Sequence, residues 1–239
     1  GLLTGSVGWQ GIFMILLFIG ILLGIGCIRF KESLPAEKRS KTGVWATFRS
    51  FGIIVHNRRY MLYVFQLAFA QGILFAYIAS SPFIIQQHYG FSPFAFSICF
   101  AVNAVAIGVA AALSVKFRRT ENGTLTGCVG MLVFAVLQMA ALYSGCGFWT
   151  YELLMFALLF MMGLTFTAST TLAMDCERRY AGAASALLGA LCFASGGIVS
   201  PLVGLGDILI STGVTFVICA VCSLLCACLL YTSPSPRDS

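Results

Sequence analysis

Three observations predict an all-α membrane protein with seven transmembrane helices. Seven apolar runs, near residues 9–28, 60–80, 94–115, 124–144, 151–174, 181–205 and 208–230, punctuate the chain. Each is close to the ~20 residues that a helix needs to cross ~30 Å of hydrocarbon. Hydrophobic residues make up 59% of the chain and charged ones only 9%, against roughly a quarter charged in an ordinary soluble domain. Such a composition cannot supply a polar exterior. Finally, all 14 Lys and Arg fall on one side of a membrane once the runs are read as helices.

That charge pattern orients the chain. Arg29, Lys31, Lys38, Arg39, Lys41, Arg49, Arg58 and Arg59 lie between the first two runs. Lys116, Arg118 and Arg119 follow the third, Arg178 and Arg179 the fifth, and Arg237 the seventh, while the alternate loops contain no Lys or Arg. Positive loops stay in the cytoplasm, so Gly1 is expected outside. The net charge of +6 is therefore confined to membrane-flanking loops, where its partner is the lipid headgroup rather than nucleic acid.

The first run is preceded by Gly1-Leu-Leu-Thr-Gly-Ser-Val-Gly, which reads as the end of a small-residue helix entering an outside turn. After it, residues 30–59 form the one long polar stretch. Lys31-Glu-Ser-Leu-Pro-Ala-Glu-Lys-Arg is a charged linker interrupted by proline. Val44, Phe48, Phe51 and Ile54/Val55 then recur at helical spacing beside Arg49. They mark either a short amphipathic helix on the inner leaflet or a flexible linker.

From Tyr60 through Val115 there is no Asp, Glu, Lys or Arg. Polar side chains at membrane depth tend to face the bundle interior or a wet cavity. Gln71 in the second run and Asn103 in the third stand out on that ground. Gln71, Leu74/Phe75 and Ile78 share one helical face, an amide among apolar and aromatic groups that suits an amphipathic organic molecule. Bridging of neighbouring helices by the amides is the alternative. Small residues spaced by four, Ala104-Gly108-Ala112 in the third run and Ser185-Gly189 and Gly196-Ser200-Gly204 in the sixth, predict helix-packing seams. Such seams also permit the rocking that alternating access requires. Pro82 and Pro201, late in the second and sixth runs, are placed to kink or end those helices near the outer face.

The fourth run is defined by length and by its basic approach. In the fifth, Glu152 follows Trp149 and Tyr151, an interfacial aromatic pair, and is expected to cap the positive helix start rather than to serve transport. Asp175, Glu177 and Asp207 fall in short loops and read as solvated or paired. In the last run Cys219, Cys222 and Cys226 share a face without a nearby His or carboxylate, which reads as small apolar packing. Only Cys146 of the ten cysteines falls in an outside loop, so no disulfide framework is expected. His56 and His88 lie on opposite sides, and no catalytic or metal constellation can be built. The chain is accordingly read as no enzyme, with no metal and no cofactor. At the C-terminus, Cys228-Leu-Leu-Tyr-Thr-Ser-Pro-Ser-Pro-Arg-Asp resembles the in-frame translation of a sequencing-library adapter, so residues 228–239 are set apart from the fold.

Several stretches resemble the Bcr/CflA drug-resistance branch of the major facilitator superfamily. Gly8-Trp-Gln-Gly-Ile-Phe is similar to that branch's entry into its sixth helix, and Glu32-Ser-Leu-Pro to the opening of its central cytoplasmic loop. Phe75-Ala-Tyr-Ile-Ala-Ser-Ser-Pro-Phe, Tyr89-Gly-Phe-Ser-Pro, the stretch from Phe94 to Asn103 and Ala181-Gly-Ala-Ala-Ser-Ala-Leu-Leu-Gly-Ala-Leu carry the most specific likeness. The resemblance implies a major facilitator fold of twelve helices in two pseudo-symmetric halves, seven of which are present here. Residues 1–30 would hold the end of the fifth helix and the sixth, 31–59 the central loop, and 60–227 the C-terminal half. It further implies proton-driven export of drugs or other small organic molecules across the bacterial inner membrane. The proton-carrying carboxylates would lie mainly in the missing N-terminal half, this chain's main partner besides the bilayer, protons and the small-molecule substrate. By family position, Gln71, Leu74, Phe75 and Ile78 of the seventh helix would face the central cavity. Asn103 of the eighth and Ser185, Gly189 and Phe193 of the eleventh would face it too. The loop Lys116-Phe-Arg-Arg-Thr-Glu-Asn-Gly echoes the family's cytoplasmic loop motif only loosely.

Other seven-helix classes fit less well. A retinal protein needs a Lys buried in its last helix, and residues 208–227 contain none. A receptor leaves the long basic first inside loop unexplained. A membrane-embedded enzyme would need paired intramembrane His, Asp or Glu.

Overall fold

The computed structural model describes residues 2–30, 44–117 and 120–232. The Glu32-Ser-Leu-Pro loop opening, Arg118, Arg119 and the last seven residues of the adapter-like tail lie outside them. Among the described residues every regular element is helical. The elements are α1 (Leu2–Arg29), α2 (Val44–His56), α3 (Arg58–Pro82), α4 (Pro93–Ser114), α5 (Thr120–Tyr143), α6 (Phe148–Cys176), α7 (Ala181–Val203) and α8 (Ile208–Thr232). A π-helical turn, Phe83–His88, prolongs α3, and a 3-10 turn, Arg178–Tyr180, leads into α7. All but α2 are long and apolar enough to cross a membrane. Each apolar run of the sequence becomes one such helix.

Helix ends follow local chemistry. Asn57 caps α3 by accepting from the Tyr60 amide at 3.2 Å, and Ser92 caps α4, with Pro93 at its first turn, by accepting from the Ala95 amide at 3.2 Å. Each cap satisfies a backbone donor that the helix itself leaves unpaired. Pro82 ends the α-helical part of α3 because it lacks the N–H that would continue the ladder. Pro201 lies two residues before the end of α7. At Gly8 α1 is broken by a left-handed φ of 66°, a conformation that glycine adopts without a Cβ clash.

Six of the spans form one block. Helices α3 and α6 pack against each other at its centre; α5 and α8 close it behind them, while α4 lies on α6 and α7 on α3. The central pair is accordingly the most buried, and α4 and α7 are the least buried of the six. None of the apolar window of α1 is buried, which in a membrane leaves it to lipid or to further helices.

Helix α2 answers the question left open by the polar stretch. It is a helix, and it sets the fully buried Ile54 into a cluster with Tyr60, Tyr63, Leu67, Ala184 and Leu188, while Ile53 and Val55 remain about half exposed. Around it, Asn57 Nδ2 donates to Glu177 Oε1 at 2.6 Å, Tyr60 OH donates to the Ala184 carbonyl at 2.6 Å, and Arg59 pairs with Glu121 at 3.6 Å. These bonds tie α3 to α5, α7 and the end of α6 on the basic side. Helix α8 continues past Ala227, with Leu230 buried in the same cluster.

The expected small-residue seams need correction. Ala104, Gly108 and Ala112 lie on the exposed side of α4, and nothing comes within 4 Å of a Cβ built at Gly108 or at Gly189. The seam of α4 runs instead through Asn103, Ala106 and Ala110. Gly163 of α6 meets it so closely that an added Cβ would come 2.6 Å from the Ile107 carbonyl oxygen and 2.9 Å from Ala110 Cβ. Small residues run along two faces of α4, and spacing alone does not say which one is covered. On α7 only Gly196 of the expected set is tightly packed against another helix, lying under the Phe75 ring. Cys219 packs against Gly72, where a Cβ would meet its Sγ at 3.0 Å.

Candidate functional site

The α3 face that carries Gln71, Phe75 and Ile78 lies near the middle of the span Arg58–His88. Phe75 reaches across to α7, where its ring meets Phe193 edge-on, with centroids 5.8 Å apart at 60°. Gly196, one turn beyond Phe193, lets the Phe75 ring lie directly on the α7 backbone. Gln71 is half-buried, Ile78 is 40% exposed and Phe193 is 70% exposed. An edge-to-face pair contributes about 0.5–1.5 kcal/mol, so the two rings hold each other while presenting an open aromatic edge. Ser185 is exposed and Gly189 half-exposed on α7, two turns and one turn before Phe193.

Two expected members of this face lie elsewhere. Leu74 turns inward and packs on the central cluster of the block. Asn103 is 1% exposed, and its Nδ2 donates to Tyr77 OH at 3.0 Å and to Glu152 Oε1 at 2.8 Å. Tyr77 is two residues from Phe75, about 200° around a helix, so the Asn103 group and the Phe75–Phe193 face look away from each other.

Glu152 also departs from expectation. The residue at the cap position of α6 is Gly147, with no side-chain cap bond, and Glu152 lies one turn further in. Its carboxylate is turned toward α4 and held by Asn103. Asn103 itself stands about 15 Å along α4 from Pro93, at a rise of about 1.5 Å per residue. A side chain placed at the interface by its sequence neighbours is thus turned inward onto α4 by its partner. Tyr77 is stacked on Phe100, with centroids 5.6 Å apart and planes 13° from parallel, which fixes the phenol against Asn103. Glu152 Oε2, Asn103 Oδ1 and the Tyr151 hydroxyl are all buried without a hydrogen-bond partner among the described residues. The signal that could have found this cluster is the pairing of a mid-span amide with the one acidic residue more than a turn inside a span.

Sequence reasoning also passed over two amides more buried than Gln71. Gln66 donates to Ser223 Oγ at 3.1 Å and reaches Cys128 Sγ at 3.4 Å, tying α3 to α8 and α5. Gln138 of α5 is fully buried. Gln66 thus acts as a bridge between helices, the alternative reading of such amides, whereas the Gln138 amide is buried without a hydrogen-bond partner among the described residues. On the side away from the basic loops, the ends of α3 and α7 border an open groove of about 840 Å³ lined by Ala79, Phe83, Gln87, His88, Ser200 and Asp207. Tyr89 closes the neighbouring loop by donating to the Cys146 carbonyl at 2.9 Å, and burial raises its phenol above the usual range.

Known proteins carry the same sequence pattern. The family described as Major Facilitator Superfamily matches residues 1–201. An uncharacterized MFS-type transporter of Bacillus subtilis (strain 168), YdgK, is 36% identical over 211 residues, 86% of this chain and 52% of that protein. The chain spans about half the length of this curated relative.

Proposed function

Because the chain belongs to the major facilitator superfamily, a family of multi-pass membrane transporters, we propose that it forms the C-terminal half of a proton-coupled exporter of amphipathic organic molecules. We place that exporter in the Bcr/CflA branch and in a bacterial inner membrane, with the basic loops in the cytoplasm. The observation that carries the substrate class is the Phe75–Phe193 pair. It is aromatic, open on one side, flanked by the amide of Gln71, and lies at mid-span. A face of this kind holds a drug-sized apolar body by contact and orients it with one polar group. Alternating access needs a second block of helices rocking against this one around a site between them. The length of the matched relative is in keeping with such a second half.

The substrate face is tested in the complete gene product, expressed in cells whose own exporters have been removed. Phe75→Ala and Gln71→Leu are expected to change which dyes and drugs are exported, with resistance to individual compounds altered about 10-fold, equivalent to about 1.4 kcal/mol. Surface expression should stay at the parent level. If both variants keep the parent's spectrum, the face is packing and not a binding wall.

Orientation is tested separately, in a background with Cys146 replaced by Ser. Cysteine at Thr120 should react with a membrane-impermeant maleimide only after the cells are opened. Cysteine at His88 should react in intact cells. Labelling of position 120 from outside would reverse the topology and remove the transporter reading with it.

A further inference from the structure

The Phe75–Phe193 face leaves Glu152 unused. From Tyr60 to Val115 and from Glu121 to Glu177 there is no Lys or Arg, so α3, α4, α5 and α6 offer this carboxylate no basic partner beyond Arg58 and Arg59 at the far, basic end of α3. The titratable groups that face it are Tyr77 from α3, Cys99 from α4 and the adjacent Tyr151 of α6, none of which is a cation. Its two oxygens are in different situations. Oε1 accepts from Asn103 at 2.8 Å, while Oε2 is buried without a partner. The Asn103 amide that holds Oε1 is itself fixed by Tyr77 OH at 3.0 Å, and Tyr77 by its stacking on Phe100.

An acid held in this way can gain or lose a proton on Oε2 without releasing the bond that positions it. Charged side chains at membrane depth are rare and mark ion or proton pathways when they occur. The orphaned Asn103 Oδ1 and Tyr151 hydroxyl are two further polar atoms in the same cluster available to a proton donor or to water. We propose that Glu152 is a proton-exchange site within this block of helices, with Asn103 and Tyr77 as its positioning residues. This rests on the transporter reading and extends it: the C-terminal half would take part in coupling instead of being a passive wall.

The first arm of the test needs no transport. Dicyclohexylcarbodiimide adds to the protonated carboxyl of a membrane-buried acid, the acid O–H crossing the C=N bond to give an O-acylisourea that rearranges to a stable N-acylurea. Treatment of the purified chain in detergent should leave one such adduct on the peptide containing Glu152, with a yield that falls as pH rises. No adduct at Glu152 at any pH from 5.5 to 8.5 would overturn the proposal. In the second arm, the complete gene product is reconstituted in liposomes and dye efflux is measured across the same pH range. Glu152→Gln should flatten the profile, to less than a 2-fold change where the parent changes 5-fold or more, and Glu152→Asp should restore the slope. A Gln variant with the parent's profile would also overturn it. Should the parent move no dye, the efflux reading fails, while the carbodiimide arm still decides whether Glu152 exchanges protons. Should the Gln variant fail to fold, the adduct on the unaltered chain remains decisive.

Discussion

Gly163→Ala is expected to destabilise the chain in detergent by about 1–3 kcal/mol, the range for overpacking a tight interior. The added Cβ would come 2.6 Å from the Ile107 carbonyl oxygen and 3.0 Å from Ile107 Cα, both backbone atoms that cannot rotate away. Relief requires α4 and α6 to separate, and α6 is one of the two central helices of the block. In thermal unfolding followed by size-exclusion chromatography this is a fall of about 2–12 °C, at roughly 2–4 °C per kcal/mol for a domain of this size. Gly108→Ala should do the opposite. Nothing lies within 4 Å of a Cβ there, so the substitution brings only the helix propensity of Ala over Gly, about 0.5–1 kcal/mol in favour. Equal effects at the two glycines would mean that the α4–α6 interface is not where the structure puts it.

Asn103→Leu should be the most damaging single polar change in the spans, at about 2–4 kcal/mol. Interhelical hydrogen bonds in membranes contribute about 0.6 kcal/mol on average and up to about 1.7. Here two are lost at once, and leaving a buried acceptor without its donor adds about 1–3 kcal/mol before relaxation. The distinguishing measurement is a double-mutant cycle with Glu152→Gln. Removing the acid should relieve part of the Asn103→Leu loss, giving a coupling of about 1 kcal/mol, within the range for residues in direct contact. Strict additivity would show that the Asn103–Glu152 bond at 2.8 Å contributes nothing to the fold, and Asn103 would then lose its positioning role.

Much of this architecture could be read directly from the residues. The seven spans, the gathering of Lys and Arg into alternate loops and the helical spacing around Ile54 are one-dimensional signals. Each comes from the partition of a side chain between hydrocarbon and water, which depends on that residue and its immediate neighbours. The Phe75 segment could likewise be singled out for its mixture of amide and aromatic groups.

Which side of each span meets another helix was decided only by the tertiary structure. A soluble helix shows its buried face as an apolar stripe. A helix in lipid is apolar all round, because its exposed side faces hydrocarbon and its buried side faces protein. Ala104-Gly108-Ala112 and Ala106-Ala110 are therefore equally good seams on paper, and packing against Gly163 selects the second. Leu74 and Phe75 are neighbours on α3, yet one enters the core and the other crosses to Phe193. Glu152 sits beside an interfacial Trp149 in sequence, and only the approach of α4 brings Asn103 near enough to draw its carboxylate inward. The residues alone determined what crosses the membrane and which loops stay on one side. The pairing of faces came from steric fit and from hydrogen bonds between residues some 50 positions apart, such as Asn103 and Glu152, which no local pattern encodes.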